Sequence, residues 1–314
     1  MKYKIFVDGQ EGTTGLEIYE RLAERSDIEV LRIDSEKRKD VGERRRLINA
    51  ADVVFLCLPD DAAREAVSLL ENDYTIIIDA STAHRVSADW DYGLPELSVT
   101  QREAISRSKR IANPGCFPTG FNLLVHPLIS GGILSANRPI TCNSVTGYSG
   151  GGKPLIARFE DPANKEKLGS PNFYGLTLNH KHLPEMKAYS GLVNEPLFSP
   201  AVCSYYRGMV VSVPIFIGNF EKKMSADEVR GYLAEYYAGQ RFVKVMPAGS
   251  ENDTEFGYVN ALSCNDTNNL QIYVFGNGEQ ILLAAVLDNL GKGASGAAVQ
   301  NMNIALGLDE GLGL

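Results

Sequence analysis

Four short apolar runs alternate with helical segments over the first 81 residues. The runs are YKIFV (3–7), VLRID (30–34), DVVFLCLP (52–59) and TIIIDAS (75–81). They show almost no polar alternation, which is typical of strands buried on both faces. Because parallel strands need a crossover between them, and these crossovers read as helices, the pattern predicts a doubly wound parallel sheet.

The pattern changes from about residue 138. Strand-like runs such as MVVSVPIFI, LQIYVFG and QILLAAVLD then follow one another with few helices between them. One clear helix signal remains, SADEVRGYLAEYYAG, with Ser225 as its cap. This half is typical of an α+β domain built on a mostly antiparallel sheet.

The first strand–helix junction carries glycines at a GxxGxxG spacing, one residue away from the usual GxGxxG fingerprint. Such glycines let the backbone approach a pyrophosphate at a helix N-terminus. Glycines of an ordinary turn are the alternative, but the place of the loop in a β/α series favours a dinucleotide. Either threonine of the loop can also cap the helix. The candidate cofactor-binding residues are Gly9, Gly12, Thr13, Thr14 and Gly15.

Charged residues of both signs follow the second strand. Asp34 there can bind the ribose 2′-hydroxyl of NAD, whereas Lys37 and Arg38 can hold the 2′-phosphate of NADP. Solvated loop charges are the third interpretation. These residues alone do not decide between NAD and NADP as the cofactor.

These features predict two domains in an α/β protein. A dinucleotide-binding domain should cover 1–115 and be completed by the C-terminal helix 288–314, whose small residues allow close packing. A catalytic and oligomerisation domain should cover 116–287.

The stretch NPGCFPTG places Cys116 where the chain turns into an apolar helix. Pro118 suits the first turn of that helix, since proline there loses no needed donor. The N–H groups and dipole of the helix start stabilise a thiolate, or an oxyanion forming on a carbon bound to the sulfur. Gly115 and Gly120 should keep the approach free of side chains. We therefore predict a nucleophilic cysteine.

A proton carrier is expected in NHKHLPE, which holds His180 and His182. If this segment is extended, the two rings alternate and do not face the same side. His182 precedes a helix-start pattern, which favours a neutral imidazole that can accept a proton. Of the other histidines, His84 lies beside Arg85 and suggests anion binding, and His126 is expected to be structural.

Composition excludes several classes of protein. The net charge of −8 disfavours a nucleic-acid binder. No stretch reads as a signal peptide or a membrane span. The five cysteines are widely spaced and form no CxxC pair, so neither a zinc site nor a disulfide framework is expected. The sequence therefore favours a reducing, cytoplasmic compartment and no metal.

Several motifs together carry a resemblance across the whole chain. ANPGCFPTG, TGYSGGGK, NHKHLPE, YYRGM and NLGKGASGAAVQNMN are similar to the short form of N-acetyl-gamma-glutamyl-phosphate reductase. FLCLPDDAAREAV and IDASTAHRV match it in register. The family is related to aspartate-semialdehyde and glyceraldehyde-phosphate dehydrogenases, which share a nucleotide domain and an α+β catalytic domain.

The resemblance implies arginine biosynthesis: reduction of N-acetyl-L-glutamyl 5-phosphate to the 5-semialdehyde by NADPH, with release of phosphate. It implies Cys116 as the nucleophile that forms a thioester, with His180 or His182 handling the proton. In this frame we expect Arg85 and Arg207 to contact the substrate phosphate, and Asn113 to be a further substrate-binding residue. The turn Gly147–Gly152, with Ser149, Gly150 and Gly151 as cofactor-binding residues, is expected to form a backbone nest near the nicotinamide or the phosphate, and a flexible turn is the alternative. Asn289 is expected to bind the nicotinamide amide.

Three alternatives remain. A related reductase could act on aspartyl phosphate or an aminoadipyl derivative. A Cys–His acyl hydrolase or transferase would explain Cys116 but leave the glycine loop without a purpose. A noncatalytic NADP-binding sensor would have the same fold without the catalytic activity. For any of these, the sheet-rich second half favours a homodimer or homotetramer.

Overall fold

The described residues, 2–314 of this computed structural model, fall into two units. One unit runs to Gly115 and also includes Ala294–Leu314. The other is the continuous segment Cys116–Gly293.

The first unit contains a six-stranded, wholly parallel sheet in the order β2-β1-β3-β4-β6-β5. The predicted doubly wound sheet is confirmed. Its elements are β1 (Tyr3–Asp8), α1 (Thr13–Ala23), β2 (Ile28–Leu31), α2 (Val41–Ala50), β3 (Val53–Leu56), α3 (Asp60–Ser68), β4 (Ile76–Asp79), β5 (Asp91–Tyr92), α4 (Val99–Arg107) and β6 (Arg110–Ala112).

Alternate residues of these strands enter two separate cores. Ile5 and Phe55 lie in one core, where Ile18 and Leu22 of α1 pack. Phe6 and its neighbours lie in the other, with the buried residues of α2 and α3. Both faces of the sheet are therefore covered, which is why its strands read as unbroken apolar runs.

The start of α1 differs from expectation. The N-cap is Gly12, and no side chain caps the helix. The expectation that a threonine caps it is wrong, because Thr13 and Thr14 already lie inside the first helical turn.

The second unit contains a seven-stranded mixed sheet in the order β11-β12-β13-β10-β7-β9-β8. Most neighbours are antiparallel, as predicted, but β7–β9 and β11–β12 are parallel pairs. Its elements are α5 (Cys116–Ser130), β7 (Thr141–Gly147), α6 (Gly152–Glu160), α7 (Lys165–Leu168), β8 (Asn172–Phe173), α8 (Leu183–Ser190), β9 (Leu197–Cys203), β10 (Met209–Phe216), α9 (Ala226–Tyr236), β11 (Val243–Val245), β12 (Leu270–Gly276) and β13 (Gln280–Leu287).

Two helices of this unit show how local sequence sets the packing. Ser225 caps α9 in a reciprocal capping box with Glu228, as its sequence predicts. In α5, a Cβ on Gly120 would lie 2.8 Å from a methyl carbon of Val211 on β10. The expectation that Gly120 clears an approach to Cys116 is therefore corrected: this glycine lets α5 pack closely on the sheet.

After β13 the chain makes a π-helical turn, Gly291–Ser295, and continues as α10 (Gly296–Ala305). Ala298, Val299 and Met302 of α10 are buried in the same core as α1. Across residues 2–314, no helix is both long and apolar enough to cross a membrane.

Candidate active site

Cys116 is the first residue of α5, and the predicted helix start is confirmed. Pro118 lies in the first turn, where its missing N–H is not needed. The first-turn N–H groups of a helix have no intrahelical acceptor, so they favour an anion at this end. Cys116 is partly exposed and forms no disulfide, as a nucleophile requires.

The other thiols differ from Cys116 in their surroundings. Burial raises the pKa of Cys142 to about 12 and that of Cys264 to about 11. Burial, with the nearby carboxylates of Asp79 and Asp8, also raises the pKa of Cys57. Thiols held protonated in this way are poor nucleophiles.

Three aromatic rings contact the residue that follows the cysteine. Phe117 contacts His180, His182 and Phe198 edge to face, with ring centroids 6.0, 5.8 and 5.0 Å apart. The ring of Tyr174 lies 5.8 Å from that of His180. The start of α5 is therefore enclosed by an aromatic cluster that carries both histidines.

The two histidines lie on the same side, contrary to expectation. Their ring centroids are only 4.8 Å apart. The segment is a turn rather than an extended strand, because the N–H of Leu183 donates to the carbonyl of His180. His182 is the N-cap of α8 and is buried, whereas His180 is partly exposed.

A hydrogen bond fixes the tautomer of His180. The backbone N–H of His182 donates to His180 Nδ1 at 3.2 Å. A nitrogen that accepts a backbone N–H carries no proton, so the neutral ring holds its proton on Nε2. Burial, assisted by the charge of Lys181, lowers the pKa of His180 from 6.5 to about 4. His180 is therefore a neutral hydrogen-bond donor at ordinary pH.

Tyr174 is a site residue that sequence reasoning missed. Burial, and then the charge that Cys116 carries when it is ionised, raise the pKa of its phenol. Its backbone N–H donates to the carbonyl of Pro200 at 3.1 Å, which fixes it beside β9. Tyr174 lies outside every motif, and only its position six residues before His180 could have drawn attention to it.

In this unit, Arg207 is predicted to bind the substrate phosphate and Asn289 the nicotinamide. Both side chains form hydrogen bonds with other residues of the protein. The amide of Asn289 accepts from the N–H of Gly208 at 2.8 Å and donates to the hydroxyl of Ser149 at 2.9 Å. The guanidinium of Arg207 donates to Asp266 at 2.7 Å and lies 3.5 Å from Asp288. Their contacts with ligands stay predictions, which these bonds do not favour.

The glycine turn before α6 is a short 3-10 segment, Tyr148–Gly151. Ser149 is buried, and a Cβ on Gly151 would lie 2.3 Å from the side chain of Leu155. Gly150 is exposed. Close packing therefore accounts for one glycine of this turn, and the backbone nest for Gly150 and Gly151 stays a prediction.

The first βα loop of the other unit fits a dinucleotide. Gly9 has φ +91, and a Cβ there would lie 2.2 Å from the carbonyl oxygen of Cys57. A Cβ on Gly15 would lie 2.5 Å from the carbonyl oxygen of Gly9. The loop is thus folded tightly at the carboxyl end of β1. The start of α1 has no side-chain cap, and the N–H of Gly12 donates to the carbonyl of Gly9 at 3.0 Å, so the N–H groups of Thr13 and Thr14 are the candidates for a pyrophosphate.

The residues after β2 lie near this loop. Arg38 is ion-paired with Glu11 of the loop, and both are about half exposed. The carboxylate of Asp34 accepts the N–H of Glu36 at 2.9 Å, and Lys37 is exposed. The structure therefore places a basic side chain beside the glycine loop and uses Asp34 to stabilise a turn.

One arginine of α2 has a structural role. Arg44 is buried and bonds to Asp8 at 3.0 Å and to Glu65 at 2.6 Å. Burial raises the pKa of Asp8, and Arg44 supplies its counter-charge. This ion pair fixes the end of β1 and was not expected from the sequence.

Arg85 and Asn113 hold the ends of two strands together. Arg85 donates to the carbonyls of Asn113 and Ala80 at 2.9 and 3.0 Å. The amide of Asn113 donates to the carbonyl of Ala294 at 3.0 Å. Both residues are buried. These contacts favour structural roles, and contact of either residue with the substrate stays a prediction.

The two remaining histidines are engaged elsewhere. His84 contacts the buried Asp79 through Nδ1 at 2.6 Å and stacks on Trp90. His126 lies inside α5, where burial lowers its pKa. Among residues 2–314, no group of three or more His, Cys, Asp or Glu is arranged to hold a metal ion.

Comparison with known proteins gives matches over the whole length. Residues 4–107 match the family model described as semialdehyde dehydrogenase, NAD binding domain. Residues 116–289 match semialdehyde dehydrogenase, dimerisation domain.

Two curated relatives are half identical to the chain. N-acetyl-gamma-glutamyl-phosphate reductase 2 of Nostoc sp. is 50% identical over 320 residues, which cover 100% of this chain and 99% of the relative. N-acetyl-gamma-glutamyl-phosphate reductase of Brucella ovis is 50% identical over 311 residues, which cover 98% of this chain and 100% of the relative.

Solved structures with low sequence identity share the fold. Aspartate semialdehyde dehydrogenase II from Vibrio cholerae gives a TM-score of 0.70 at 15% identity and covers 98% of each chain. The enzyme from Francisella tularensis gives 0.68 at 16% identity, covering 96% of this chain and 99% of that one.

Proposed function

The chain belongs to the semialdehyde dehydrogenase family, and we propose that it is an N-acetyl-gamma-glutamyl-phosphate reductase of arginine biosynthesis. Its reaction is the reduction of N-acetyl-L-glutamyl 5-phosphate to N-acetyl-L-glutamate 5-semialdehyde with release of phosphate. The relatives at 50% identity carry this name. The observation that carries the proposal is Cys116 at the start of α5, enclosed by the aromatic cluster with His180.

NADPH fits the first unit. The N–H groups at the start of α1 would hold the pyrophosphate, and Gly9 and Gly15 let the loop fold tightly at this place. Lys37 and Arg38 would hold the 2′-phosphate. When bound, NADPH supplies a hydride to the acyl carbon.

Cys116 supplies the covalent chemistry. Its sulfur bonds to the acyl carbon while the bond from that carbon to the phosphate oxygen breaks. The proton of the thiol ends on the departing phosphate, and a thioester remains on Cys116. After reduction, the sulfur leaves the tetrahedral carbon, the aldehyde forms, and the thiolate regains a proton from solvent.

His180 and the start of α5 act on the acyl oxygen. This oxygen becomes negative whenever the carbon is tetrahedral, and the N–H groups of α5 stabilise it. We assign the Nε2–H of His180 as a further donor to the same oxygen, because the bond at Nδ1 leaves the proton on Nε2. The sequence suggested a base in this pair; the tautomer favours an electrophilic donor.

A substrate panel tests the function. N-acetylglutamyl, aspartyl and aminoadipyl phosphates should each be assayed with NADPH and NADH by the nucleotide's absorbance. We expect oxidation of NADPH with N-acetylglutamyl phosphate above the others. Turnover of aspartyl phosphate instead would assign the related dehydrogenase, and hydrolysis without oxidation would assign a hydrolase.

The pH dependence reports the protonation state of His180. Since its pKa is lowered, the neutral form persists as pH falls through 6.5, and protonation occurs only near 4. We therefore expect that titration of His180 causes no fall in kcat/KM near pH 6.5. The pH profiles of wild type and His180→Gln should have the same shape in this range. The profiles of wild type and variant decide it, and a limb near 6.5 confined to wild type would contradict the assignment.

The basic pair should set the cofactor preference. Replacing Lys37 and Arg38 together by alanine should weaken NADPH binding by a few kcal/mol at most, since charged hydrogen bonds contribute ~1.5–3 kcal/mol each. NADH binding should hardly change, because NADH has no 2′-phosphate. Titration of both nucleotides measures this.

A matched control removes the same charge elsewhere. Arg45 and Arg46 lie on α2 and pair with Glu71 and Glu43. Their double alanine variant should bind NADPH like wild type. A wild type that prefers NADH would show instead that Asp34 binds the ribose diol.

We also propose a homodimer or homotetramer formed through the second unit. One face of its sheet packs on α5, whereas Pro214, Phe216 and Leu282 are exposed on the other face. Exposed apolar rows of this kind favour a partner, and the matched family model is named a dimerisation domain. Light scattering at micromolar concentration tests it, and a monomer mass would contradict it.

We place the protein in the cytoplasm. All five cysteines are free, which suits a reducing compartment. Localisation of the tagged full-length chain tests this assignment.

A further inference from the structure

The turn that follows β13 packs directly against the nucleophile. A Cβ on Gly293 would lie 2.8 Å from the Cβ of Cys116 and 3.1 Å from the carbonyl oxygen of Asp288. Carbon atoms prefer separations of ~3.5–4.0 Å, so an added side chain must displace the cysteine, the turn or both. The N–H of Gly293 also donates to the Asp288 carbonyl at 2.9 Å. The place of Cys116 therefore depends on the backbone of this turn.

A buried carboxylate fixes the beginning of the turn. Asp288 is fully buried and accepts the N–H groups of Leu290 and Asp266, each at 2.9 Å. Arg207 supplies the counter-charge at 3.5 Å. A carboxylate buried in this way is stable only with its donors and its cation in place. Arg207 thus stabilises the conformation of the turn.

Asn289 joins the same turn to two other loops. Its amide oxygen accepts from Gly208, the residue after Arg207, and its amide nitrogen donates to Ser149 in the glycine turn before α6. Asn289 and Ser149 are both buried. Three segments far apart in sequence therefore meet at the beginning of this turn.

We propose that the turn Asp288–Gly293, held by Arg207 and by Asn289 with Ser149, positions the sulfur of Cys116 for attack. These are positioning residues that act through the cysteine rather than through the phosphate or the cofactor. The inference rests on the proposed role of Cys116 as the nucleophile. Attack needs reacting atoms ~3–3.5 Å apart, and a 1 Å displacement can cost on the order of 100-fold in rate.

Gly293→Ala tests the contact. We expect kcat to fall ~10-fold or more and alkylation of Cys116 by iodoacetamide, followed by mass spectrometry of its peptide, to slow. NADPH affinity should stay within about twofold. The control is Gly231→Ala on α9, where an added Cβ meets nothing within 4 Å. A Gly293→Ala protein with wild-type kcat and alkylation rate would overturn the proposal.

Arg207→Lys keeps the proposal testable if the glycine variant does not fold. Lysine retains the charge but not the geometry of the guanidinium. We expect slower alkylation and lower kcat with KM for the acyl phosphate unchanged. A raised KM with unchanged alkylation would make Arg207 a phosphate ligand and overturn the proposal. Because iodoacetamide needs neither substrate nor cofactor, this result stands even if the enzyme reduces another acyl phosphate.

Discussion

Replacing Cys116 by serine should lower kcat by at least ~100-fold while leaving the Kd for NADPH nearly unchanged. The serine hydroxyl fits the same place at the start of α5, but it is a far weaker nucleophile than a thiolate and does not form the thioester. Its side chain is otherwise similar in size, so the fold should be preserved. Steady-state kinetics and a nucleotide titration on the same preparation measure both quantities.

The matched control is Cys203→Ser, which makes the same change at a buried thiol of the same unit. Burial raises the pKa of Cys203, and its replacement should leave kcat within a few-fold. Iodoacetamide should inactivate the wild-type enzyme by modifying Cys116, and the acyl phosphate should protect it. A Cys116→Ser enzyme as active as wild type would exclude the covalent mechanism.

Local sequence signals account for the parts of the fold that the sequence could predict. The parallel sheet follows from strands without polar alternation, because both of their faces are buried in separate cores. The beginnings of α5 and α9 follow from Pro118 and from Ser225, since a helix start has local chemical signatures. These signals act within a few residues.

The hydrogen-bond partners of the site residues could not be predicted, because they lie far away in the chain. Asn289 bonds to Ser149 across 140 residues and to Gly208 across 81. Arg207 reaches Asp288 across 81. The sequence could show that these polar residues lie in motifs, but not that they bond to one another. It therefore suggested ligand contacts where the structure shows loop-to-loop bonds.

The histidine segment shows a second limit, one of local conformation. Alternation in NHKH suggests opposite faces only if the backbone is extended. The chain instead turns before α8, and Leu178 adopts a left-handed φ of 57 just ahead of it. The two rings then meet beside Phe117. No residue in the segment distinguishes the turn from a strand.

Substitutions of His180 and of His182 should lower kcat by very different factors. His180→Ala should lower kcat by on the order of 100-fold or more, the range for loss of one oxyanion donor. His182→Asn should lose far less, because its backbone N–H still bonds to His180 Nδ1. Equal losses in the two variants would contradict the assignment of the donor to His180.

His180→Gln distinguishes a donor from a base. The glutamine amide can offer an N–H close to the position of Nε2, but it cannot take up a proton at neutral pH. If His180 donates to the acyl oxygen, His180→Gln should recover a measurable part of the activity that His180→Ala loses, with the Kd for NADPH unchanged in both. If His180 is the general base, glutamine should be no better than alanine. The burial that lowers its pKa to about 4 supports the donor, since so weak a base takes a proton from a thiol only at a large cost in free energy.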